Sequence, residues 1–146
     1  MIDWIVIGNL TLAFVLGGAI GWFREKEGKT AGMRTHILVA LGSALFMVIS
    51  KEMMTLTGTG GADPGRIAAG VVTGIGFIGA GCIVQVGSGV RGITTAASIF
   101  VTSAIGIAAG AGFYTISIAS AILAVAALQL LREFELKFIK TKSKEE

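Results

Sequence analysis

Five long stretches of the chain are apolar almost without interruption, and they limit the available folds more than any other feature. They cover residues 4–23, 36–50, 67–86, 93–109 and 113–131, and the second can extend through Met54. A helix needs about 20 apolar residues to cross the roughly 30 Å hydrocarbon core of a bilayer. The strands of a membrane β-barrel alternate apolar and polar residues instead. The sequence therefore predicts an all-α integral membrane protein with about five transmembrane helices.

Composition excludes the soluble classes of protein. Charged residues make up 14% of the 146 residues, against about 25% in a soluble domain. Glycine accounts for 22 residues, roughly twice its average share. The one cysteine, Cys82, cannot close an internal disulfide. A disordered chain, a disulfide-rich secreted domain and an ordinary soluble enzyme are therefore excluded, and the length fits one domain.

Lys and Arg residues between the stretches predict the orientation in the membrane. Ten of the twelve lie on one side, in the segments after the first, third and fifth stretches, whereas Lys51 and Arg66 lie on the other. Cytoplasmic loops carry an excess of Lys and Arg, so the N-terminus is predicted outside and the C-terminus in the cytoplasm. Residues 1–131 form the predicted transmembrane domain, and 132–146 form a short basic cytoplasmic tail suited to an anionic leaflet.

Charged and polar side chains gather at the ends of the predicted helices. Those on the predicted cytoplasmic side are Arg24, Glu25, Arg34, Thr35, His36, Arg91, Thr94 and Thr95. Helix N-termini and the arginine fork both favour anions. The cluster therefore either closes on itself through an ion pair to Glu25 or binds an anionic headgroup or partner. Ordinary anchoring at the membrane interface is the alternative interpretation.

The external side carries a helix-start signal. Asp63 suits the N-cap, where its side chain accepts a bond from a free backbone N–H, and Pro64 suits the first helical position. Arg66 follows three residues after Asp63 and is predicted to pair with it on the helix surface. Asp63 and Arg66 are the charged candidate site residues on that side.

Glycines concentrate in the third stretch, in a segment that contains Gly74, Gly76, Phe77, Gly79 and Gly81. Each glycine weakens a helix by about 1 kcal/mol relative to alanine. Close packing of neighbouring helices is one explanation. A bent or broken helix whose freed backbone groups bind an ion is the other. Small residues at a spacing of four elsewhere (Ala13, Gly17 and Gly21; Gly106 and Gly110) also predict close helix packing, and one such face would serve a homodimer.

Several chemistries lack the residues they need. No ionisable residue lies in the middle of a predicted helix, whereas proton relays and ion paths are usually marked by one. Zinc takes about four ligands, but His36 and Cys82 are the only residues of their types. Phosphate-loop, zinc-protease and serine-hydrolase motifs are missing. We therefore predict no enzyme, no cofactor, no metal site and no nucleic-acid partner.

Several blocks of the sequence, in order, resemble the MgtC/SapB family of bacterial inner-membrane proteins. They fall within residues 8–112, at 17–21, 24–25, 31–39, 63–69, 74–81 and 90–97. The resemblance implies a multi-pass inner-membrane domain of about five helices, linked to growth in low magnesium and to virulence. Many members also carry a cytoplasmic ACT-like domain, so we expect this chain to match the short form that lacks it. The acidic residue of the family motif corresponds to Asp63.

Two functions are compatible with these features. The first is a non-enzymatic protein, acting as a homodimer in the bilayer, that regulates a membrane-protein partner or membrane energetics. The second is a small ion transporter or channel with its site at residues 74–81, assisted by the end charges Asp63, Arg66, Arg34 and Arg91. The ion ligand is not specified by the sequence. A membrane enzyme ranks third, with only Glu25 and His36 available on the cytoplasmic side.

Overall fold

The computed structural model describes residues 3–57 and 63–134, and in these residues the chain forms five helices and one short hairpin. The helices are α1 (Trp4–Lys26), α2 (Met33–Thr57), α3 (Pro64–Gly81), α4 (Ile93–Ala111) and α5 (Tyr114–Phe134). Strands β1 (Val84–Val86) and β2 (Gly89–Arg91) pair antiparallel between α3 and α4. The predicted all-α architecture is confirmed. Residues 135–146, most of the predicted tail, lie outside the described residues.

Three of the described helical segments are long and apolar enough to cross a membrane on their own. They are Trp4–Lys26, Met33–Leu56 and Ile93–Ala111, and the apolar part of α5, Tyr114–Leu130, is shorter. Helix α3 has 18 residues, six of them glycine. The five predicted helices therefore exist, but they are not five equal spans.

Residues at the helix ends explain where α1, α3 and α4 stop and start. Asp3 caps α1, and its Oδ1 accepts from the backbone N–H of Ile5 at 3.0 Å. Asp63 caps α3 by accepting from the backbone N–H of Gly65 at 2.8 Å, which confirms the predicted helix start. Gly112 adopts a left-handed conformation with φ of +85° and separates α4 from α5. Residues with a side chain rarely adopt that conformation, which explains why a glycine occupies this turn.

The third helix ends earlier than predicted. The sequence predicted a helix through Val86, but α3 ends at Gly81 and residues 84–91 turn back as the hairpin. Gly92 ends this hairpin with φ of +93°, and an added Cβ there would collide with the carbonyl oxygen of Cys82. A short apolar run before a glycine-rich turn fits a strand as well as a helix, because periodicity alone does not separate the two.

Helix α4 lies at the centre of the bundle and contacts the other four helices. Gly106 and Gly110 let α4 approach α2 so closely that an added Cβ would collide with the carbonyl oxygens of Ala40 and Ala44. Gly17 on α1 makes a similar approach, since its added Cβ would lie 2.6 Å from the carbonyl oxygen of His36. The prediction of close packing is therefore confirmed for the small residues of α1 and α4.

The glycines of α3 are not explained by packing within the chain. Added Cβ atoms at Gly70, Gly74, Gly76 and Gly81 would meet no atom within 4 Å, and only Gly79 approaches α4, at 3.6 Å from Ala96 Cβ. Within the described residues, close packing inside the chain accounts only for Gly79 among these glycines. The broken-helix interpretation is not supported either, because α3 is one continuous helix from Pro64 to Gly81. Gly70, Gly74 and Gly81 instead leave one face of α3 open.

Candidate functional site

One end of the bundle holds a network of buried polar side chains. At this end α1 finishes and α2 and α4 begin, and we call it the basic end because Arg24, Arg34 and Arg91 lie there. Arg24 sits in the last turn of α1 and is only 3% exposed. Its Nη2 donates to Thr95 Oγ1 in the first turn of α4 at 2.5 Å. A buried guanidinium is costly unless it is hydrogen-bonded, so this contact ties α1 to α4.

His36 joins α2 to the same network. The imidazole is fully buried, and its Nδ1 donates to the carbonyl oxygen of Gly32 at 2.8 Å. A carbonyl oxygen only accepts, so Nδ1 carries a proton. The other ring nitrogen, Nε2, lies 3.1 Å from Ser98 Oγ on α4, and that hydroxyl lies 2.8 Å from the carbonyl oxygen of Thr95. The basic-end network therefore consists of Arg24, Gly32, His36, Thr95 and Ser98, and it links three helices.

Glu25 has a separate role beside this network. Its Oε2 accepts from the backbone N–H of Met33, the first residue of α2, at 2.8 Å. A carboxylate at a helix N-terminus also interacts favourably with the helix dipole. Gly32 leaves room for this contact, since an added Cβ would lie 2.8 Å from Glu25 Oε2. The carboxylate thus caps α2.

The residues of the predicted polar cluster at this end do not form one cluster, because they lie on different helix faces. Arg24, His36 and Thr95 are buried in the network. Arg91 and Thr94 are exposed on the hairpin and at the start of α4. Arg34 and Thr35 instead line a groove between α2 and α3. Successive residues of a helix point in different directions, which is why Arg34 and His36 separate despite their proximity in sequence.

A groove with a volume of about 790 Å³ lies between α2 and α3. Its walls are mostly apolar and include Leu38, Phe46, Ile67 and Ile78. Gly42, Gly70 and Gly74 line it as well, and none of them would place an added Cβ within 4 Å of another atom. Its charged lining residues are Arg34 and Arg66. Asp63 and Arg66 are thus divided between a helix cap and the groove.

Polar contacts at the opposite end hold the turn between α4 and α5. Asn9 Nδ2 donates to the carbonyl oxygen of Gly110 at 3.3 Å, and the Tyr114 hydroxyl donates to Asn9 Oδ1 at 2.8 Å. Lys51 Nζ donates to the carbonyl oxygen of Ala111 at 2.9 Å, at the C-terminal end of α4 where a cation is favourable. These contacts bring α1 and α2 against the same turn.

Sequence reasoning missed several of these residues. Ser98 follows Thr95 by three residues, so helical spacing placed it on the same face and could have identified it. Ser43, whose hydroxyl lies 2.8 Å from that of Ser103 between α2 and α4, gave no such signal, whereas a hydroxyl within the fourth apolar stretch predicts that Ser103 bonds a neighbouring helix. Asn9 gave none either, since its partners come from the far end of α4. In the part of the chain that the structure describes, no group of three or more His, Cys, Asp or Glu residues could hold a metal.

These features define an all-α membrane protein in which several buried polar groups are bonded across helix interfaces. The profile of the MgtC family matches residues 10–137 of the sequence. The chain therefore belongs to the MgtC family. No solved structure matches it.

The chain is similar to named proteins of several bacteria. A protein of Escherichia coli strain K12 called "Putative magnesium transporter YhiD" is 44% identical over 135 residues, covering 90% of this chain and 62% of the relative. "Protein MgtC" of Salmonella typhimurium strain LT2 is 44% identical, covering 86% and 52%. "Protein MgtC" of Brucella abortus strain 2308 is 42% identical, covering 82% and 48%. The chain thus spans between about half and two thirds of the length of these relatives.

Proposed function

We propose that this protein is a non-enzymatic component of the bacterial inner membrane that regulates a membrane-protein partner or membrane energetics. The observation that carries the proposal is the position of its buried ionisable side chains. Of the ten buried polar or charged residues described, only Arg24 and His36 are ionisable, and both lie at the basic end. Ion paths and proton relays are usually marked by ionisable groups inside the membrane span.

The bonding of several other buried polar groups also supports a structural use for them. Ser43 is bonded to Ser103, and Asn9 to the carbonyl oxygen of Gly110, in each case between two helices. Polar side chains paired in this way hold helices together in a bilayer. A bundle of this kind presents its surfaces, rather than an internal path, to other molecules.

Family membership supports the cellular setting. The proposed role in low-magnesium adaptation and virulence, and the homodimeric state, rest on the resemblance to the MgtC/SapB family. The proposed orientation, with the N-terminus outside and the C-terminus in the cytoplasm, rests on the ten basic residues that share one side. Because the chain spans only part of its relatives' length, each of these statements concerns the membrane domain.

A small ion transporter is the second candidate, and the name of the Escherichia coli relative favours it. Its site would lie at residues 74–81 of α3. Backbone carbonyls become ion ligands in transporters where a helix is interrupted, whereas α3 is continuous over this segment. The first proposal is therefore the better supported of the two.

Two measurements on the full chain separate the candidates. The first is growth of a bacterial strain that lacks its own MgtC-family gene, in low magnesium, with and without this chain. The second is Mg²⁺ entry into liposomes that contain the purified protein, followed with an entrapped fluorescent indicator. We expect the chain to restore growth while Mg²⁺ entry stays at the rate of protein-free liposomes.

Faster Mg²⁺ entry that is lost in Gly76→Leu would overturn the proposal in favour of the transporter. Gly76 suits this purpose because its Cβ position is open and the substitution leaves the bundle contacts intact. Failure to restore growth, together with no Mg²⁺ entry, would contradict both candidates.

A further inference from the structure

The α2–α3 groove combines an apolar slot with positive charge. Its lining contains no acidic residue, and its two charged side chains are Arg34 and Arg66. Within the described residues neither guanidinium group has a hydrogen-bond acceptor or an ionic partner. Arg34 is the second residue of α2, so it lies where the groove reaches the basic end. A ligand that complements this site has an apolar body and an anionic group at that end.

The dimensions of the groove suit one leaflet of a bilayer. Its lining residues on α2 extend from Arg34 to Phe46, and twelve helical residues rise by about 18 Å. Half of a hydrocarbon core is about 15 Å thick. A single acyl chain entering beside Arg34 would therefore run along most of the groove.

The charges of the groove favour an anionic lipid over a helix of a second copy as the occupant. Arg34 and Arg66 make the groove positive, and its lining holds no acidic residue. Gly42, Gly70 and Gly74 widen it only where their Cβ atoms would otherwise project. An unbranched chain fits a slot of that kind better than a helix with its side chains.

We propose that the α2–α3 groove binds an anionic phospholipid, with one acyl chain between the helices and the phosphate held by Arg34. The guanidinium fork matches the geometry of a phosphate. Thr35, the next residue along α2, also lines this end of the groove and adds a hydroxyl donor. The site is independent of the regulatory role proposed above, because it rests only on the groove and its charges.

Quenching of a tryptophan in the groove by brominated lipid tests the proposal. The chain has two tryptophans, Trp4 and Trp22, both on α1, and both can be replaced by phenylalanine. Phe46→Trp then places the one fluorophore on the groove wall. The full chain is reconstituted in phosphatidylcholine vesicles that contain increasing fractions of one brominated lipid. This lipid is either phosphatidylglycerol or phosphatidylcholine with brominated acyl chains. We expect brominated phosphatidylglycerol to quench at a roughly tenfold lower fraction, as one lost charge-assisted contact implies.

Matched variants assign that preference to the groove. Arg34→Gln should make the two brominated lipids quench equally, whereas Arg91→Gln, exposed at the same end but outside the groove, should leave the preference intact. Gly74→Leu should fill the groove and weaken quenching by both lipids. Gly76→Leu, two residues further along α3 and outside the groove, should not weaken it. Far-UV circular dichroism confirms that each variant is folded.

Several outcomes would overturn the proposal. Equal quenching by the two lipids in the parent protein would remove the anionic selectivity. Loss of the preference in Arg66→Gln but not in Arg34→Gln would place the headgroup elsewhere. Weak quenching by both lipids, combined with cross-linking between copies through the groove, would show that a second copy fills it.

Discussion

Buried hydroxyl groups in the bundle differ in whether they have a hydrogen-bond partner, and this decides whether each one stabilises or destabilises the fold. Ser103 on α4 is bonded to Ser43. Ser117 on α5 is also fully buried, but within the described residues its Oγ has no hydrogen-bond partner. A buried hydroxyl without a partner destabilises a fold, whereas a paired one contributes to it.

Alanine substitutions at these two serines should therefore act in opposite directions. We expect Ser117→Ala to raise the free energy of unfolding by about 1 kcal/mol, and Ser103→Ala to lower it by about the same amount. Unfolding in mixed detergent micelles, followed by circular dichroism, measures both. Destabilisation by both substitutions would mean that Ser117 has a partner.

Individual glycines also differ in how much space surrounds them. Gly106 has no room for a methyl group, because Ala40 of α2 lies against it, while Gly76 faces open space. Gly106→Ala should cost about 1–3 kcal/mol through overpacking. Gly76→Ala should be neutral or stabilise by up to about 1 kcal/mol, since alanine favours the helix. Thermal denaturation of both variants in detergent provides the comparison, and equal melting temperatures would contradict it.

For single residues, the sequence predicts which side chains belong to the site more accurately than it predicts the contacts between them. Arg24, His36 and Thr95 were all predicted at one helix end, and the structure joins them through Ser98. Arg34 was placed with them because it is near in sequence, yet it lines the groove. Contacts between helices depend on their relative rotation and approach, which a single sequence does not encode in a readable pattern.

Helix boundaries show a similar division. The starts of α1 and α3 follow from local chemistry, because an aspartate before each accepts from the first free N–H groups. The end of α3 does not, since residues 82–86 are as apolar as the helix before them. Where α3 ends, the carbonyl oxygen of Cys82 lies against Gly92, ten residues later, and leaves no room for a side chain there.

The start of α2 depends on a cap that comes from another helix. Glu25 of α1 accepts from the first N–H of α2. We expect Glu25→Ala to lower the free energy of unfolding by about 1 kcal/mol. Glu52→Ala, exposed near the other end of α2, should change it by less than about 0.5 kcal/mol. Chemical unfolding in detergent would reveal the difference, and equal tolerance of the two would show that the cap is dispensable.

For the whole molecule, the order of contacts fixes which helix ends lie together. Arg24 meets Thr95 at the basic end, and Lys51 meets Ala111 at the opposite end. α1 and α5 therefore run in one direction, and α2 and α4 run in the other. These directions agree with the predicted arrangement of the helices, but the side of the membrane on which the basic end lies is set by charge alone.

Reporter fusions test that orientation. A phosphatase active only outside the cytoplasm should be inactive when fused at Glu146 and active when inserted near Gly60. A fluorescent protein that folds only in the cytoplasm should give the reverse pattern. Activity of the phosphatase at Glu146 would invert the proposed topology.

The position of α4 in the chain has a consequence for biogenesis. Its polar residues Thr95, Ser98 and Ser103 bond to Arg24, His36 and Ser43, which belong to α1 and α2. Helices α1 and α2 are synthesised first, and chains acquire structure from the N-terminus onward during translation. When the ribosome produces α4, its hydroxyl groups thus meet acceptors and donors that are already in the bilayer. The helix with the most buried polar residues is made after its partners, so it need not wait in lipid with those groups unbonded.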